Sequence, residues 1–442
     1  MRLRLNPEKL KRLEQLLLAL LVVSVLYRTY SIGMSGAHMF RQSDTFGMAL
    51  ATAERIRMNG LGEWFRILTF PRILQLGPLD GVVASEFPLL SFLSAPFLLV
   101  DTPRVGMTLT LLLLMVFQWH AAKRFIKSLG LSADPSQLIF LYSSIGIAYY
   151  LLVFMPEALG MPLALLGLAC FRERKFLRSI SLLSLAVLVK PVFVIAFFPL
   201  LIERSQRGWL KLSRNRWSYA VSALSVIAGA LWYGYHARYL HSHFSGPQIF
   251  KQAELRPIQN LQSLGWGGVF TQYWKELGTE LFPIWLGGVI LAIWCVARAF
   301  REIALILGAI LLILALDGFH IHFHPYYYVP IGILIFETAL WVDRQFKLNH
   351  RFNLAFLHRA VFIFGLAFLI RTELWITHRG AGRFEMGEEV RKGAGEKSLI
   401  LTDDGGFPWK MAMIGRSGWA LDMSYGVDVC EEIRASQNDA IH

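Results

Sequence analysis

The sequence predicts an all-α polytopic integral membrane protein, and three observations carry that prediction. Of its 442 residues, 55% are hydrophobic and only 17% charged, whereas soluble domains carry about 25% charged residues. The mean hydropathy is +0.46. Apolar runs recur along the chain, and 13 Trp and 32 Phe suit lipid-facing surfaces and interfacial belts. This composition excludes a soluble multidomain enzyme and a disordered chain. The formal charge of +13 does not point to a nucleic-acid partner, because a membrane protein places such an excess in its cytoplasmic loops. Cys170, Cys295 and Cys430 are too few and too scattered for a disulfide framework or a zinc cluster.

A spanning helix needs about 20 mostly apolar residues. Such runs lie near 13–32, 86–100, 104–122, 137–154, 158–172, 179–202, 217–235, 281–297, 303–318, 326–342 and 359–371, predicting about nine to eleven transmembrane or re-entrant helices. The first run follows MRLRLNPEKLKR without a small-residue cleavage site, so it reads as an uncleaved helix. Two runs are irregular. The 86–100 run is short and carries Pro88 and Pro96, and the 179–202 run holds Lys190-Pro191 at its centre. A midspan Lys followed by Pro argues against a simple crossing.

Charge orients the chain. If 86–100 stays on the outer face and 179–202 dips in and returns, the inner segments are 1–12, 123–136, 172–178, 203–216, 298–302 and 343–359. They hold 23 Lys/Arg, against 9 in the longer outer loops 33–103, 154–157, 236–280 and 319–325. Letting 86–100 cross would place Lys123, Arg124 and Lys127 outside and break the positive-inside pattern. The N-terminus is then cytoplasmic. Residues 1–371 form the transmembrane domain, whose first outer loop, 33–103, carries juxtamembrane helices. Residues 372–442 form a small extracytoplasmic α/β appendage, in which SLILTDDGGFPWKMAMIGRSGW reads as a strand, an acidic Gly-rich turn and a short helix.

Ionisable residues at membrane depth are functional candidates because burying them is unfavourable. The topology gathers several at the outer surface. GAHMFRQSDT supplies His38, Arg41, Gln42, Asp44 and Thr45; EFP supplies Glu86; FMPEALG supplies Glu157; the re-entrant segment supplies Lys190; and GFHIHFHPYYYVP supplies His320, His322, His324 and Tyr326 to Tyr328. Each has a plainer reading. Asp44 could pair with Arg41, and Glu86 and Glu157 could cap the helices that follow them. Lys190 could snorkel, although snorkelling lysines sit near helix ends. The alternation of His320, His322 and His324 places three imidazoles on one strand face and invites a metal, or marks an interfacial turn at headgroup level.

Taken together, these elements resemble the motifs of polyprenyl-phosphate-sugar-dependent glycosyltransferases of the GT-C superfamily, in the family 39-like branch that includes protein O-mannosyltransferases and the lipid A aminoarabinose transferase. RQSDT resembles the branch's RQ-D-T element, EFPLL its E-P element, MPEAL its PD-L turn with Glu in place of Asp, LAVLVKPVFVIAFFPLL its L-TK-P segment and HPYYYVP its late H-YY--P turn. The resemblance implies a GT-C type fold in the cell inner (cytoplasmic) membrane. It also implies inverting transfer of a sugar from a polyprenyl-phosphate donor to a lipid, glycan or protein acceptor at the outer face, with a possible divalent cation. Asp44, Glu86 and Lys190 would be catalytic: Asp44 as the base, Lys190 as the cation facing the leaving phosphate. Arg41, Gln42, Glu157, His324, Tyr326 and Tyr327 would bind substrate.

Two other classes remain open on the residues alone. A transporter would also use broken helices and buried charges, though near the midplane and with paired repeats, and no repeat is evident here. A non-catalytic partner in surface polysaccharide assembly needs none of the charges at one face. The orientation has a direct test. Single cysteines placed near residues 44 and 322 should react with an impermeant thiol reagent from outside, and one near 211 should not; labelling at 211 would reverse the assignment.

Overall fold

The structure, a computed structural model, describes residues 7–34, 39–72, 86–99, 102–143, 145–204, 210–236, 284–317 and 325–380. It also describes isolated residues between 238 and 271 and between 389 and 393, together with 400–403 and 418–421. The elements before the central hairpin are α1 (Pro7–Ile32), α2 (Met39–Asn59), α3 (Gly62–Arg66), α4 (Leu89–Ser94), α5 (Pro103–Ser128), α6 (Ile139–Tyr142), α7 (Ile145–Leu151) and α8 (Pro156–Arg172). They continue with α9 (Phe176–Val189), α10 (Phe198–Leu201), α11 (Arg216–Leu231), α12 (Ile284–Val296), α13 (Phe300–Asp317), α14 (Ile331–Leu348) and α15 (Phe352–Gly380). Three of these, α1, α5 and α15, contain stretches of 25, 26 and 27 residues that are long and apolar enough to cross a bilayer by themselves. The chain is a polytopic helical membrane protein.

The bundle is built around α8. Every residue from Pro156 to Cys170 is buried, so this helix is apolar all round and meets other helices rather than lipid. It packs on α5 and, as an antiparallel pair, on α9. Small residues permit that approach: a Cβ on Gly167 would lie 2.7 Å from the Leu183 side chain, and one on Gly160 would overlap the Phe193 ring at 2.2 Å. Small residues at helix contacts are the membrane solution to close packing.

The re-entrant segment takes the form expected of it. Fourteen residues of α9 rise about 21 Å at 1.5 Å each, short of the roughly 30 Å hydrocarbon thickness. The helix stops at Lys190, whose φ of −157° and ψ of 119° are extended, because Pro191 disfavours the helical region for the residue before it. A 3₁₀ turn over Pro191–Phe197 and then α10 cover about 20 Å, using about 2.0 and 1.5 Å per residue. Ascent and return therefore match. The Leu89–Leu99 helix of 11 residues is likewise too short to cross.

Contacts between distant segments sort into two ends. At one end Lys11 meets Asp134 at 3.0 Å, Arg124 grips Glu173 with two bonds of 2.9 and 2.7 Å, Arg172 meets Glu337 at 2.9 Å, and Arg359 meets Glu14 at 3.2 Å. All of these lie in or beside the Lys/Arg-rich segments. At the other end His236 contacts the Thr69 carbonyl at 2.6 Å and Phe87 packs edge-on against Trp232 at 4.9 Å. Depression of the Glu173 carboxyl to about 2 by its bonds to Arg124 and Lys175 keeps that loop ion pair intact across physiological pH.

Three sequence expectations change. The run 137–154 is not one helix. It breaks into a 3₁₀ turn at Pro135–Leu138, α6, α7 and an irregular turn. Ser143 hydrogen-bonds back to the Ile139 carbonyl, and α15 comes so close that a Cβ on Gly365 would lie 2.6 Å from the Ser143 carbonyl oxygen. The turn before α8 is held by Gln118, fully buried on α5, which donates to the carbonyls of Leu151 at 2.8 Å and Ala158 at 3.0 Å and accepts from the Tyr142 hydroxyl at 2.8 Å. In a membrane, irregular backbone persists where such groups satisfy it. Second, α15 continues to Gly380, past the tail start expected near 372. Third, the segment after the re-entrant, expected to face inward, contains an antiparallel pair, β1 (Ile202–Arg204) with β2 (Leu210–Leu212). In the tail, the expected strand is β3 (Ile400–Asp403), paired in parallel with β4 (Gly418–Leu421).

The Gly365 contact predicts a selective loss. Gly365→Ala should destabilise the protein by about 1–3 kcal/mol through overpacking, measured by thermal unfolding in detergent. Gly288→Ala, with nothing within 4 Å of its Cβ, should not.

Candidate functional site

The site forms where α8 begins, α9 ends and the segment before α4 turns. Lys190 stands at the end of α9 with its side chain 1% exposed. Its ammonium hydrogen-bonds the Glu86 carboxylate and lies 3.2 Å from the Glu157 carboxylate. Above it stand two rings, with Nζ 4.6 Å from the centre of Tyr326 and 4.8 Å from that of Tyr327. A buried ammonium thus has two counter-charges and two aromatic faces, a combination that offsets its desolvation. Snorkelling is excluded by this burial.

The capping reading falls for Glu86 and stands in part for Glu157. The residue that caps α4 is Pro88, with no side-chain cap bond, and Glu86 turns instead to Lys190. Glu157 does lie in the first turn of α8, where the helix dipole favours a carboxylate, but it is 0% exposed and bound to Lys190. The two carboxylates differ in access. Glu86 is 17% exposed and Glu157 is closed off.

The RQSDT element lies on the first turns of α2 at this same end. Gln42 is buried and donates to the Tyr149 hydroxyl at 3.4 Å. The Thr45 carbonyl accepts from Ser91 of α4 at 2.7 Å, and Phe46 packs edge-on against Phe154 at 5.1 Å. These contacts bracket Asp44, which is half-buried, between α4 and the turn that leads into Glu157. The side chain of Arg41 lies outside the described residues, as do His38, His320, His322 and His324. Tyr326 and Tyr328 are buried, and Tyr326 packs edge-on against Tyr150 at 5.9 Å. The structure therefore joins Glu86, Glu157, Lys190, Tyr326 and Tyr327 directly, and holds Gln42 and Asp44 on the adjoining helix. Among the described residues no group of three metal-ligating side chains assembles; Glu86 and Glu157 converge on the Lys190 ammonium.

A second ion pair escaped the sequence reading. Arg28 of α1 and Glu373 of α15 are 1% and 0% exposed and meet at 2.9 Å; Arg28 also donates to the Leu152 carbonyl at 2.5 Å. Its guanidinium lies 5.8 Å from the centre of the Tyr149 ring, and Tyr149 is the partner of Gln42. Arg28 thus links α15, the turn before α8 and the RQSDT helix. The signal was present, since Arg28 is the one cationic residue inside the 13–32 run and Glu373 lies two residues past the 359–371 run.

The fold and the site define a polytopic helical membrane protein with a buried Lys–Glu–Glu centre and tyrosine rings at one end of its bundle. The chain matches no protein-family model and no curated protein sequence. Among solved structures it is similar to the crystal structure of ArnT from Cupriavidus metallidurans bound to undecaprenyl phosphate, at 12% identity and a TM-score of 0.41, over 96% of this chain and 87% of that one. At that identity the likeness carries no residue roles.

Removing one partner of a buried pair leaves an uncompensated charge, which costs about 3–5 kcal/mol. Arg28→Met should lower stability by that amount. Pairing it with Glu373→Leu should recover most of the loss in a double-mutant cycle followed by thermal unfolding. A double variant no more stable than Arg28→Met would show that the pair does not act as a unit.

Proposed function

We propose that the protein is a membrane glycosyltransferase that moves a sugar from a polyprenyl-phosphate donor to a lipid, glycan or protein acceptor, with inversion, at the outer face of the cytoplasmic membrane. The observation that carries this reading is convergence. Three motif elements spread from Glu86 to Tyr327 meet around one ammonium, and the RQSDT helix is fastened beside them.

Asp44 takes the proton from the acceptor hydroxyl or amine as that atom attacks the anomeric carbon. The bond from that carbon to the phosphate oxygen breaks on the opposite face, and its electron pair leaves with the lipid phosphate. One base suffices because phosphate departs without a proton. Charge developing on the leaving phosphate calls for fixed donors. The incoming phosphate competes with Glu86, the more accessible carboxylate, for the Lys190 ammonium, while Glu157 stays behind as its buried counter-ion. Tyr327 and His324 add donors, Tyr326 backs the ammonium, and Arg41 orients Asp44. Displaced from Lys190, Glu86 becomes free to accept a sugar hydroxyl. A divalent cation, where one is used, would draw on Asp44, Glu86, His322 and His324, and no step above passes through it. The short helix over Leu89–Leu99 and the return over Pro191–Leu201 flank the place where a lipid head meets water and its tail meets the spans.

A transporter shares the helix broken at Lys190, but it would move its substrate without bond cleavage. The assay therefore separates the two. With a polyprenyl-phosphate sugar, Asp44→Asn should lower transfer by about 10²–10⁴-fold, the range of general-base catalysis. Lys190→Ala should lower it by about 10²–10³-fold, as for loss of one electrostatic donor. Unfolding temperatures confirm that both variants are folded. Normal turnover in Asp44→Asn overturns the base assignment, and absence of polyprenyl phosphate from the co-purified lipid, read by mass spectrometry, overturns the donor.

A further inference from the structure

A cavity with a charged rim and an apolar lining lies at the far end of the bundle from Lys190. Its volume is about 360 Å³ and it opens between the return of the re-entrant segment, α13 and α14, with Glu203, Arg301, Glu302, Trp341 and Arg344 around an apolar floor. The volume falls in the range of small-ligand pockets, roughly 300–1,000 Å³. The Lys/Arg count assigns this end to the cytoplasm, so the cavity opens at the level of the inner-leaflet headgroups, where a Trp is at home.

Its charges are only partly spent on one another. The Arg301 guanidinium donates one N–H to the Ile202 carbonyl, and another of its nitrogens stands 3.5 Å from Glu302. Its Nε is buried and has no hydrogen-bond acceptor among the described residues, an unfavourable state for a charged donor unless a ligand accepts from it. Arg344 is exposed at the rim and makes no hydrogen bond or ion pair among the described residues. The carboxylates in the wall all have partners and differ in access. Glu337 is paired with Arg172 at 2.9 Å. Glu203 accepts from the Ser213 hydroxyl but is 41% exposed, with Lys211 at 3.8 Å, so it keeps accepting positions toward the opening; Glu302 is 7% exposed and stands beside Arg301.

A simple anion entering here would meet Arg301 and Arg344 but also face Glu203 and Glu302. A simple cation would meet the reverse. A ligand carrying a phosphodiester and an ammonium a few ångströms apart satisfies both sets, and one with attached apolar chains also covers the apolar floor. We infer that this cavity binds the headgroup of a zwitterionic aminophospholipid from the cytoplasmic leaflet, with the phosphate on Arg301 and Arg344 and the ammonium on Glu203 and Glu302. The site is separate from the proposed glycosyl-transfer centre and does not depend on that reading.

The test uses the full-length protein in detergent micelles, titrated with phosphatidylethanolamine or phosphatidylglycerol and read by native mass spectrometry. The wild type should retain phosphatidylethanolamine at least about fivefold more tightly than phosphatidylglycerol, a difference well above the scatter of such titrations on the affinity scale. Arg301→Gln and Arg344→Gln should each weaken phosphatidylethanolamine binding, and the Glu203→Gln/Glu302→Gln pair should bring phosphatidylglycerol level with it or ahead. Thermal unfolding identifies any variant that has lost its fold; Arg344, exposed at the rim, supplies the substitution least able to disturb it. Equal or tighter phosphatidylglycerol binding by the wild type would overturn the proposal, as would unchanged binding in Arg344→Gln. So would displacement of phosphatidylethanolamine by millimolar inorganic phosphate, which would mark a plain anion site.

Discussion

The architecture turns on one buried ammonium. Lys190 sits where α9 runs out, about two-thirds of the way along a crossing, with its side chain 1% exposed. An unpaired charge there would cost several kcal/mol, so the surroundings of Lys190 must bring counter-charges to it. They come from two other parts of the chain, Glu86 ahead of α4 and Glu157 at the mouth of α8, and the two tyrosine rings before α14 complete the cover. A single group therefore ties the segment ahead of α4, the central helix, the re-entrant hairpin and the late turn to one point.

Pro191 makes this arrangement possible. By ending α9 in extended backbone it turns the chain back toward its own side, so that a lysine arrives at depth without any helix having to carry it across the membrane. The close contacts of α8 with the hairpin at Gly160 and Gly167 then set the depth, because a side chain at either position would push the two helices apart. Breaks in regular structure near the site are covered by side chains in the same way. Gln118 accepts and donates across the turn before α8, and Arg28 takes the Leu152 carbonyl in that turn while holding Glu373. The long helices α1, α5 and α15 thus each supply a side chain that covers the irregular turn beside the charged centre.

The two ends of the bundle are chemically different. One end joins Lys/Arg-rich connections through ion pairs such as Arg124–Glu173 and Lys11–Asp134, which are partly exposed and individually worth little. That end also buries Glu14 against Arg359, and the other end buries Lys190 with Glu157 and Arg28 with Glu373, where removing a partner matters far more.

Much of this is legible in the amino-acid sequence alone. Composition establishes the membrane class, because so apolar a chain has no other way to cover its surface. The Lys190-Pro191 pair marks the re-entrant hairpin, because a charge and a helix breaker together cannot sit in a simple span. The surface shared by Asp44, Glu86, Glu157, Lys190 and the tyrosines also follows from counting Lys and Arg. Pairing is what the sequence could not supply. Hydropathy treats each run separately, so it could not separate a carboxylate that caps its own helix from one that reaches across to Lys190, nor see that Arg28 and Glu373, 345 positions apart, neutralise each other. It also read 137–154 as one helix, because the contact that accompanies the break, α15 packing Gly365 against Ser143, joins segments over 200 residues apart. Local chemistry determines which segments enter the membrane. Which charges meet is decided only when distant helices pack, because the penalty for burying a charge is set by its neighbours in space.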